Sequence, residues 1–325
     1  MPTASHPVPS SKRTAAAVAG AAAMTGAVAL AYAALVEVRW FVLRRAVVPV
    51  LPPGHAAIRV LHLSDLHLTP AQRRKQEWVR GLAALEPDLV VNTGDNLAHL
   101  QSVPVVLDAL GDLLDVPGVF VFGSNDYFAP SPRNPVRYLL PDNGQRNTHA
   151  PKLPHGDLRD GFERRGWIDL TNRADGLTVN GTRLAFTGVD DPHLGYDDLD
   201  AVAGMADPSA DVRMGVTHAP YLRVLDRFAE DGHEVVFAGH THGGQLCLPV
   251  TGALVTNCDL DTRRAKGLHR HPVDAPAQAP GSSWLHVSAG LGTSPYAPVR
   301  FCCRPEATLL TLTARPGFVG ERTVG

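Results

Sequence analysis

The fold of this chain is decided by the stretch Ile58–His67, which reads IRVLHLSDLH. Residues Ile58–Leu63 alternate in polarity and are rich in branched aliphatic side chains, a pattern that predicts a buried β-strand. Asp65 and His67 stand directly after that strand and two positions apart, so their side chains point the same way from the pleat. A carboxylate and an imidazole aimed together at a strand exit indicate a site for a divalent metal ion.

Strands and helices continue in alternation after this stretch. The sequence predicts a helix at Ala71–Leu85, a strand at Asp88–Asn92, a helix at Val103–Leu114 and a strand at Gly118–Phe122. Such alternation describes an α/β sheet, and ligand sites in these sheets lie beyond the carboxyl ends of the strands. This rule makes Asp65, Asp95 and Asn125 candidate site residues.

A second set of strands is predicted further along the chain. Before it lies a stretch rich in Pro, Asn, His and Arg, about residues 130–160, which we interpret as an insertion over one rim with a short helix near Val136–Leu140. The later strands are predicted at Arg183–Val189, Val212–Thr217, Glu234–Ala238, Ser283–Ser288 and Ala307–Thr313, with a weak helix at Leu199–Met205 and a helix at Tyr221–Glu230.

Residue types that bind metals occur at several predicted strand exits. In chain order the motifs are Asp65-Leu66-His67, Gly94-Asp95-Asn96, Gly123-Ser124-Asn125-Asp126, Thr217-His218-Ala219-Pro220 and Gly239-His240-Thr241-His242-Gly243-Gly244. Each motif alone is weak evidence, but the whole series, each after an apolar strand, predicts a single pocket. Imidazole and carboxylate suit Mn, Fe and Zn, and one carboxylate can bridge two ions about 3.5–4 Å apart.

With these motifs in this order, roughly Ile58–Thr313 resembles the calcineurin-like metallophosphoesterase superfamily. The resemblance implies an α/β fold in which a two-sheet β-sandwich is flanked by helices, with the metals at one edge. The ligands implied for one ion are Asp65, His67, Asp95 and His242, and those for a second are Asp95, His218, His240 and an Asn of the third motif. Gly243-Gly244-Gln245 and the apolar N-terminus are similar to a subgroup of small membrane-associated bacterial phosphoesterases.

The third motif departs from the family pattern. The family has Gly-Asn-His-Asp where this chain has Gly123-Ser124-Asn125-Asp126, so the family histidine is absent. Either Ser124 takes the metal-binding position, or the loop shifts by one residue and Asn125 binds the metal. An amide oxygen is a better ligand than a neutral hydroxyl, which favours Asn125. Asn125 is also a catalytic candidate that contacts the leaving group, and His193, at another strand exit, is a candidate replacement for the missing acid.

The N-terminal part contains the uncharged, 23-residue stretch Thr14–Val36. As a helix it spans roughly 34 Å at about 1.5 Å per residue, enough for a hydrocarbon core of about 30 Å. It is read either as a single-pass membrane anchor or as a secretory signal cleaved near Ala31-Tyr32-Ala33. Basic residues flank it on both sides, so the side on which the domain lies stays open.

This organisation divides the chain into consecutive parts. Residues 1–13 are a polar tail, residues 14–36 the membrane anchor, residues 37–56 a juxtamembrane linker, and residues 57–315 the metallophosphoesterase domain with its insertion. A net charge of −2 gives no global basic field for nucleic acid, so no nucleic-acid partner is expected.

The resemblance implies a metal-dependent phosphoester hydrolase that uses a dinuclear centre of two divalent ions and a metal-activated water. We expect its phosphoester substrate at or near the bilayer, lipid-linked substrates included. The alternative from another class is a catalytically weak metal-binding domain that holds a phosphorylated lipid or protein at the membrane. The missing family histidine favours this alternative, and the otherwise full ligand set argues against it.

Overall fold

The computed structural model describes residues 11–132, 140, 144, 146, 148–204, 207–276 and 279–316. Two six-stranded sheets lie face to face. The first has the order β1 (Val42–Leu51), β14 (Glu306–Ala314), β2 (Ile58–Leu63), β3 (Leu89–Asn92), β4 (Gly118–Phe120) and β5 (Ile168–Asp169). The second has the order β12 (Gly267–His271), β13 (Ser283–Val287), β9 (Val235–Ala238), β8 (Val212–Val216), β7 (Thr182–Gly188) and β6 (Arg173–Val179). A separate hairpin pairs β10 (Cys247–Leu248) with β11 (Gly252–Ala253).

Helices cover the outer faces of both sheets. They are α2 (Arg73–Arg80), α3 (Ser102–Leu110), α5 (His155–Glu163) and α6 (Leu222–Glu230), while the single turn α4 (Ser124–Tyr127) follows β4 and the N-terminal α1 (Ser11–Leu35) is largely exposed. Buried apolar side chains fill the space between the sheets, where Val60 and Val91 of the first meet Val216 and Phe237 of the second. Further apolar clusters lie under α2, α3 and α5 on one side and under α6 on the other. The predicted α/β sandwich flanked by helices is therefore confirmed, as is the apolar N-terminal helix.

The segment 37–56 differs from the linker that the sequence predicted. Its residues Val42–Leu51 form β1, which runs parallel to β14. The three prolines in Val47–Gly54 favoured an extended linker. Pro49 nevertheless lies in β1, which is an edge strand, where a residue without a backbone N–H donor is tolerated. The side chains of Val48, Val50 and Leu51 are buried in the inter-sheet core, so burial of apolar area outweighs the local proline signal.

Two other segments also differ from the sequence interpretation. The helix α5 begins inside the predicted insertion of residues 130–160, and a bridge between Phe128 and Lys152 closes the base of that insertion. Residues 136–139 of the short predicted helix lie outside the described residues. The weak helix predicted at Leu199–Met205 is absent from the described positions 199–204, where Asp198 accepts the Ala201 N–H and Gly204 has a φ of 135°. The Asp198 hydrogen bond and the positive φ of Gly204 are typical of turns and do not continue a helix.

Candidate metal centre

The exits of the parallel strands meet at one edge of the sandwich. The amide of Asp65 donates to Gly94 O at 2.9 Å, which joins the exits of β2 and β3. In the other sheet the amide of Gly239 donates to His218 O at 2.8 Å, which joins β9 to β8. The two sheets are connected by Nδ1 of His218, which donates to Thr93 O at 2.7 Å. These bonds bring motifs far apart in sequence into one pocket.

A compact group of ligand atoms lies at the centre of this edge. Asp65, His67, Asp95 and His242 each offer one ligand atom, and these atoms all lie within 4.8 Å of one another. We call these residues the first group. His67 Nε2 is 3.4 Å from Asp95 Oδ2, and His242 Nε2 is 3.6 Å from Asp65 Oδ1. Nitrogen and oxygen atoms at these separations surround a space that one cation could occupy.

The unsatisfied atoms in the pocket fit a metal. Among the described residues, Asp65 Oδ1, His67 Nε2 and His218 Nε2 are buried without a hydrogen-bond partner. A buried polar atom left unpaired costs about 1–3 kcal/mol, and native proteins rarely leave several together. Carboxylate oxygen and imidazole nitrogen are the donors that Mn, Fe and Zn accept, so divalent cations would satisfy all three atoms.

A second group surrounds the other side of Asp95. It consists of Asp95 itself with His218, His240 and Asn125. His218 Nε2 is 3.6 Å from Asp95 Oδ2, the same oxygen that faces His67. Nε2 of His240 contacts the carbonyl of Asn257 at 3.2 Å, so a metal bound by His240 would take Nδ1. Asp95 therefore lies between the two groups.

The altered third motif presents Asn125 to this carboxylate. The backbone amide of Asn125 donates to Asp95 Oδ1 at 2.7 Å, and its side-chain amide donates to Asp95 Oδ2 at 2.8 Å. Metal ligation requires the amide oxygen of Asn125 to face the ion instead of the nitrogen, a choice that the hydrogen-bond network decides. The geometry supports Asn125 over Ser124 as the residue of this motif that reaches the site.

Backbone strain concentrates at the ligands. Left-handed φ values between 39° and 67° occur at Asp65, His67, Asp95, His240 and His242. This region is uncommon for residues other than glycine, and such strain clusters at functional sites. Gly123 is required for space, because a Cβ there would collide with Asp95 Oδ1 and with the His218 ring.

Burial and charge prepare the imidazoles for a cation. Burial lowers the pKa of His67 and of His240 to about 4 and that of His242 well below its usual range, so all three are neutral and keep a lone pair for a metal. Burial also opposes protonation of His218, but the carboxylates around it, Asp95 foremost, outweigh burial and raise its pKa to about 9. The surrounding carboxylates thus favour positive charge at His218.

Three positioning residues hold the ligand loops, and the sequence interpretation did not assign them. The buried carboxylate of Asp126 accepts the backbone N–H groups of Asp95, Asn96, Leu97 and Gly123 at 2.8–3.2 Å. Lys75 donates to Leu66 O at 2.6 Å. The fully buried Arg300 donates to the carbonyls of Ala289 and Gly292, both at 2.7 Å, and to His242 O at 3.3 Å. The sequence offered a signal for Asp126, because this residue ends the third motif. It offered no signal for Lys75 or Arg300.

The predicted acid His193 lies at the rim beside the second group. Its ring centroid is 4.4 Å from that of His240. Its backbone amide donates to Asp191 Oδ1 at 2.9 Å, and its Nδ1 is 3.2 Å from Tyr221 Oη. Arg146, from the insertion, donates to the carbonyl of His193 and to Tyr221 Oη. Residue 146 of the insertion therefore reaches the rim of the site.

The sandwich and its metal-binding edge define a metallophosphoesterase, a phosphoric ester hydrolase. The family model described as Calcineurin-like phosphoesterase matches residues 58–244, and the chain belongs to this family. The matched range begins at the first residue of β2 and ends just after the motif that contains His240 and His242.

Similar proteins include one named as a transmembrane protein, one named as a phosphodiesterase and one named as a pyrophosphatase. The chain is 28% identical to a bovine "Transmembrane protein with metallophosphoesterase domain" over 82% of its own length and 55% of that protein. It is 26% identical to the Escherichia coli "Phosphodiesterase YaeI", over 85% of this chain and 90% of that one. It is 25% identical to the Chlamydia trachomatis "UDP-2,3-diacylglucosamine pyrophosphatase LpxG", over 80% of this chain and 84% of that one.

Proposed function

We propose that this protein hydrolyses phosphoesters with two divalent metal ions. The first group would hold one ion, the second group would hold the other, and Asp95 would bridge them. The observation that carries the proposal is the buried cluster of ligand atoms within 4.8 Å, with unpaired atoms on both sides of Asp95. When bound, Mn, Fe or Zn ions would polarise the phosphate and lower the pKa of a water molecule.

The residues at the rim would handle the leaving group. Asn125 carries side-chain N–H donors that can bind an oxygen of the substrate, but an amide gives up no proton. His193, whose ring lies beside that of His240, would supply a proton in place of the family histidine. General acid catalysis of this kind contributes about 10²–10⁴-fold, so the identity of this group decides which esters are hydrolysed.

We infer that α1 stays attached as a membrane anchor. It belongs to a helix that is long and apolar enough to cross a bilayer by length and composition. Its end packs on the domain, since Ala33 and Glu37 are buried and the Tyr32 ring contacts the Phe301 ring edge-on at 6.3 Å. Cleavage near Ala33 would remove part of this packing, which supports the anchor over the cleaved signal. The names of the bovine and chlamydial relatives are consistent with a substrate at the membrane, lipid-linked phosphoesters included.

Metal analysis combined with hydrolysis assays tests this function. The full chain, purified in detergent, should bind two ions and hydrolyse nitrophenyl phosphate mono- or diesters with Mn, Fe or Zn. Binding of metal without hydrolysis of any ester would favour the alternative, a domain that only holds a phosphorylated lipid or protein. One ion per chain at saturation would overturn the dinuclear centre.

A further inference from the structure

Two uncharged segments form an apolar rim beside the end of α1. They are residues 245–257, which contain the β10–β11 hairpin, and residues 288–299, and neither contains Asp, Glu, Lys or Arg although these make up 19% of the chain. Leu248, Val250, Leu254 and Tyr296 on these segments are all exposed, Val250 completely. Exposed apolar clusters of this kind mark contact surfaces.

The rim is bonded to α1 through a short connecting loop. Cys247 N donates to Phe301 O at 2.8 Å, and Phe301 N donates to Gln245 O at 3.1 Å, so the hairpin is fixed to residue 301. The Gln245 side chain donates to Ala297 O at 3.0 Å and ties in the second segment. Arg300 N then donates to Ala33 O at 3.2 Å. The hairpin, the loop and the helix end therefore hold a fixed arrangement.

The position of these contacts along α1 determines how deep the rim would lie in a membrane that α1 crosses. Tyr32 and Ala33 lie inside the uncharged stretch Thr14–Val36, about one helical turn before its end. At about 1.5 Å per residue, Tyr32 stands roughly 6 Å from Val36. Interfacial apolar groups enter a membrane by about 5–10 Å. If α1 spans a bilayer, the loop packed against Tyr32 is held within the interfacial layer, and the hairpin fixed to that loop is held beside it.

The same hairpin lies directly next to the metal-binding edge. It follows the motif of His240 and His242 with two glycines between, and a Cβ on Gly244 would collide with Ala253 of β11. From the other segment, the carbonyl of Gly292 contacts His242 Nδ1 at 3.1 Å. A surface that touches the bilayer at Val250 thus places the metal centre at the level of the lipid headgroups.

We propose that this apolar rim contacts the bilayer that surrounds α1 and holds the metal centre against the headgroup layer. The substrate is then the phosphoester or pyrophosphate head of an amphiphile in the same leaflet. This inference rests on the proposed phosphoester hydrolysis for its substrate, but the contact with the membrane is a separate, measurable property.

The contact is tested by fluorescence quenching with brominated lipids in vesicles of phosphatidylethanolamine and phosphatidylglycerol. The full chain is reconstituted with Val250→Trp or with the control Val273→Trp. Val273 is also an exposed valine. It follows β12 and therefore lies at the end of the sheet opposite to the metal-binding edge. Quenching above the wild-type level is expected for Val250→Trp and not for Val273→Trp. Equal quenching of the two variants would overturn the contact.

The substrate class is tested with the double variant Leu248→Ser, Val250→Ser. Because two apolar contacts with the bilayer are lost, hydrolysis of phosphatidic acid or of diacylglycerol pyrophosphate in vesicles should fall about tenfold or more. Hydrolysis of soluble nitrophenyl phosphate should stay unchanged, and Val273→Ser should leave both activities intact.

The outcomes separate this inference from the proposed function. If the wild type hydrolyses no ester but Val250→Trp is quenched, the phosphoesterase function fails and the membrane contact stands. If nitrophenyl phosphate is hydrolysed but neither lipid is, the amphiphilic substrate is excluded. If the double variant loses lipid and soluble hydrolysis equally, the rim acts on the fold of the site instead of on lipid access.

Discussion

The two groups proposed for the metal centre share Asp95 but differ in how completely the chain builds them. In the first group, ligand atoms of four residues form one compact buried set, and each residue matches the family motif. In the second, His218 and His240 are in place, but the third motif contributes Asn125 from a single helical turn and the family histidine is missing. The comparison teaches that metal binding and proton supply are separable: the chain keeps residues suited to the first and changes the residue suited to the second.

The largest effect is expected at the residue common to both groups. Asp95→Ala should remove both ions, since each group loses an oxygen ligand, and activity should fall by about 10³-fold or more, as several kcal/mol of charge stabilisation disappear. His242→Ala should remove mainly the first ion. Elemental analysis beside steady-state rates measures both, with Asp108→Ala, an exposed carboxylate on α3, as the control. Equal metal loss in Asp95→Ala and His242→Ala would contradict the division of the ligands into two groups.

The next effect concerns proton supply in the second group. If His193 replaces the family histidine, His193→Ala should slow esters with poor alkyl leaving groups by about 10²-fold or more and nitrophenyl esters much less. Asn125→Ala should lower metal occupancy as well as rate if Asn125 is a ligand, and the rate alone if it contacts substrate. Rates on paired alkyl and nitrophenyl substrates, with metal counts, decide this. Equal slowing of both ester types by His193→Ala would exclude it as the acid.

A smaller effect is expected where both groups depend on one loop. Asp126 accepts four backbone N–H groups that shape the Asp95 loop. Asp126→Asn replaces an acceptor oxygen by an NH₂ group that faces those N–H donors. Groups that orient metal ligands typically contribute 10–100-fold to affinity, so metal affinity should fall by about that factor in both groups. Competition with a chelator measures the affinity, and Asp190→Asn serves as a control, because Asp190 contacts Tyr127 instead of the loop. Unchanged affinity would make Asp126 dispensable.

The last effect is on stability alone and concerns the buried histidine pair His62 and His286. His62 Nδ1 lies 2.7 Å from His286 Nδ1, and His62 Nε2 lies 3.0 Å from Thr93 Oγ1. Burial lowers the pKa of His286 to about 3 and that of His62 well below its usual range. The unfolded state therefore binds more protons, and stability present above about pH 6.5 is lost as the pH falls, by about 1.4 kcal/mol per unit for each histidine.

Urea unfolding of the metal-free protein between pH 6.5 and pH 4.5 measures this loss. His286→Asn removes one titrating ring and keeps polar atoms near His62. The slope of the free energy of unfolding against pH should therefore decrease by the contribution of one histidine, about 1.4 kcal/mol per pH unit. His149→Asn, at an exposed histidine, should leave the slope as in the wild type. An unchanged slope in His286→Asn would show that the buried pair does not govern acid stability.

Several features of the sandwich and its site were predictable because they are local. An apolar run followed by Asp65-Leu66-His67 or by His240-Thr241-His242 predicts both a strand and a metal-binding function at the end of that strand. The edge strand Val42–Leu51 was missed because Pro49 is a strong local signal for a linker, whereas its pairing partner β14 begins at Glu306, more than 250 residues away. The apolar rim was also not predicted, because an uncharged hairpin indicates a membrane contact only when it lies beside α1, and that position depends on contacts between distant residues.

The sequence by itself determined the family, the residue types of both groups and the apolar helix, because motifs and periodicity are written in neighbouring residues. The tertiary structure alone decided that Asp95 faces His67 and His218 with one oxygen, that Asp126 and Arg300 hold the ligand loops, and that α1 packs beside the metal-binding edge. These facts depend on how parallel strands from two sheets end together and on which backbone groups burial leaves to be satisfied. Both are properties of the packed chain.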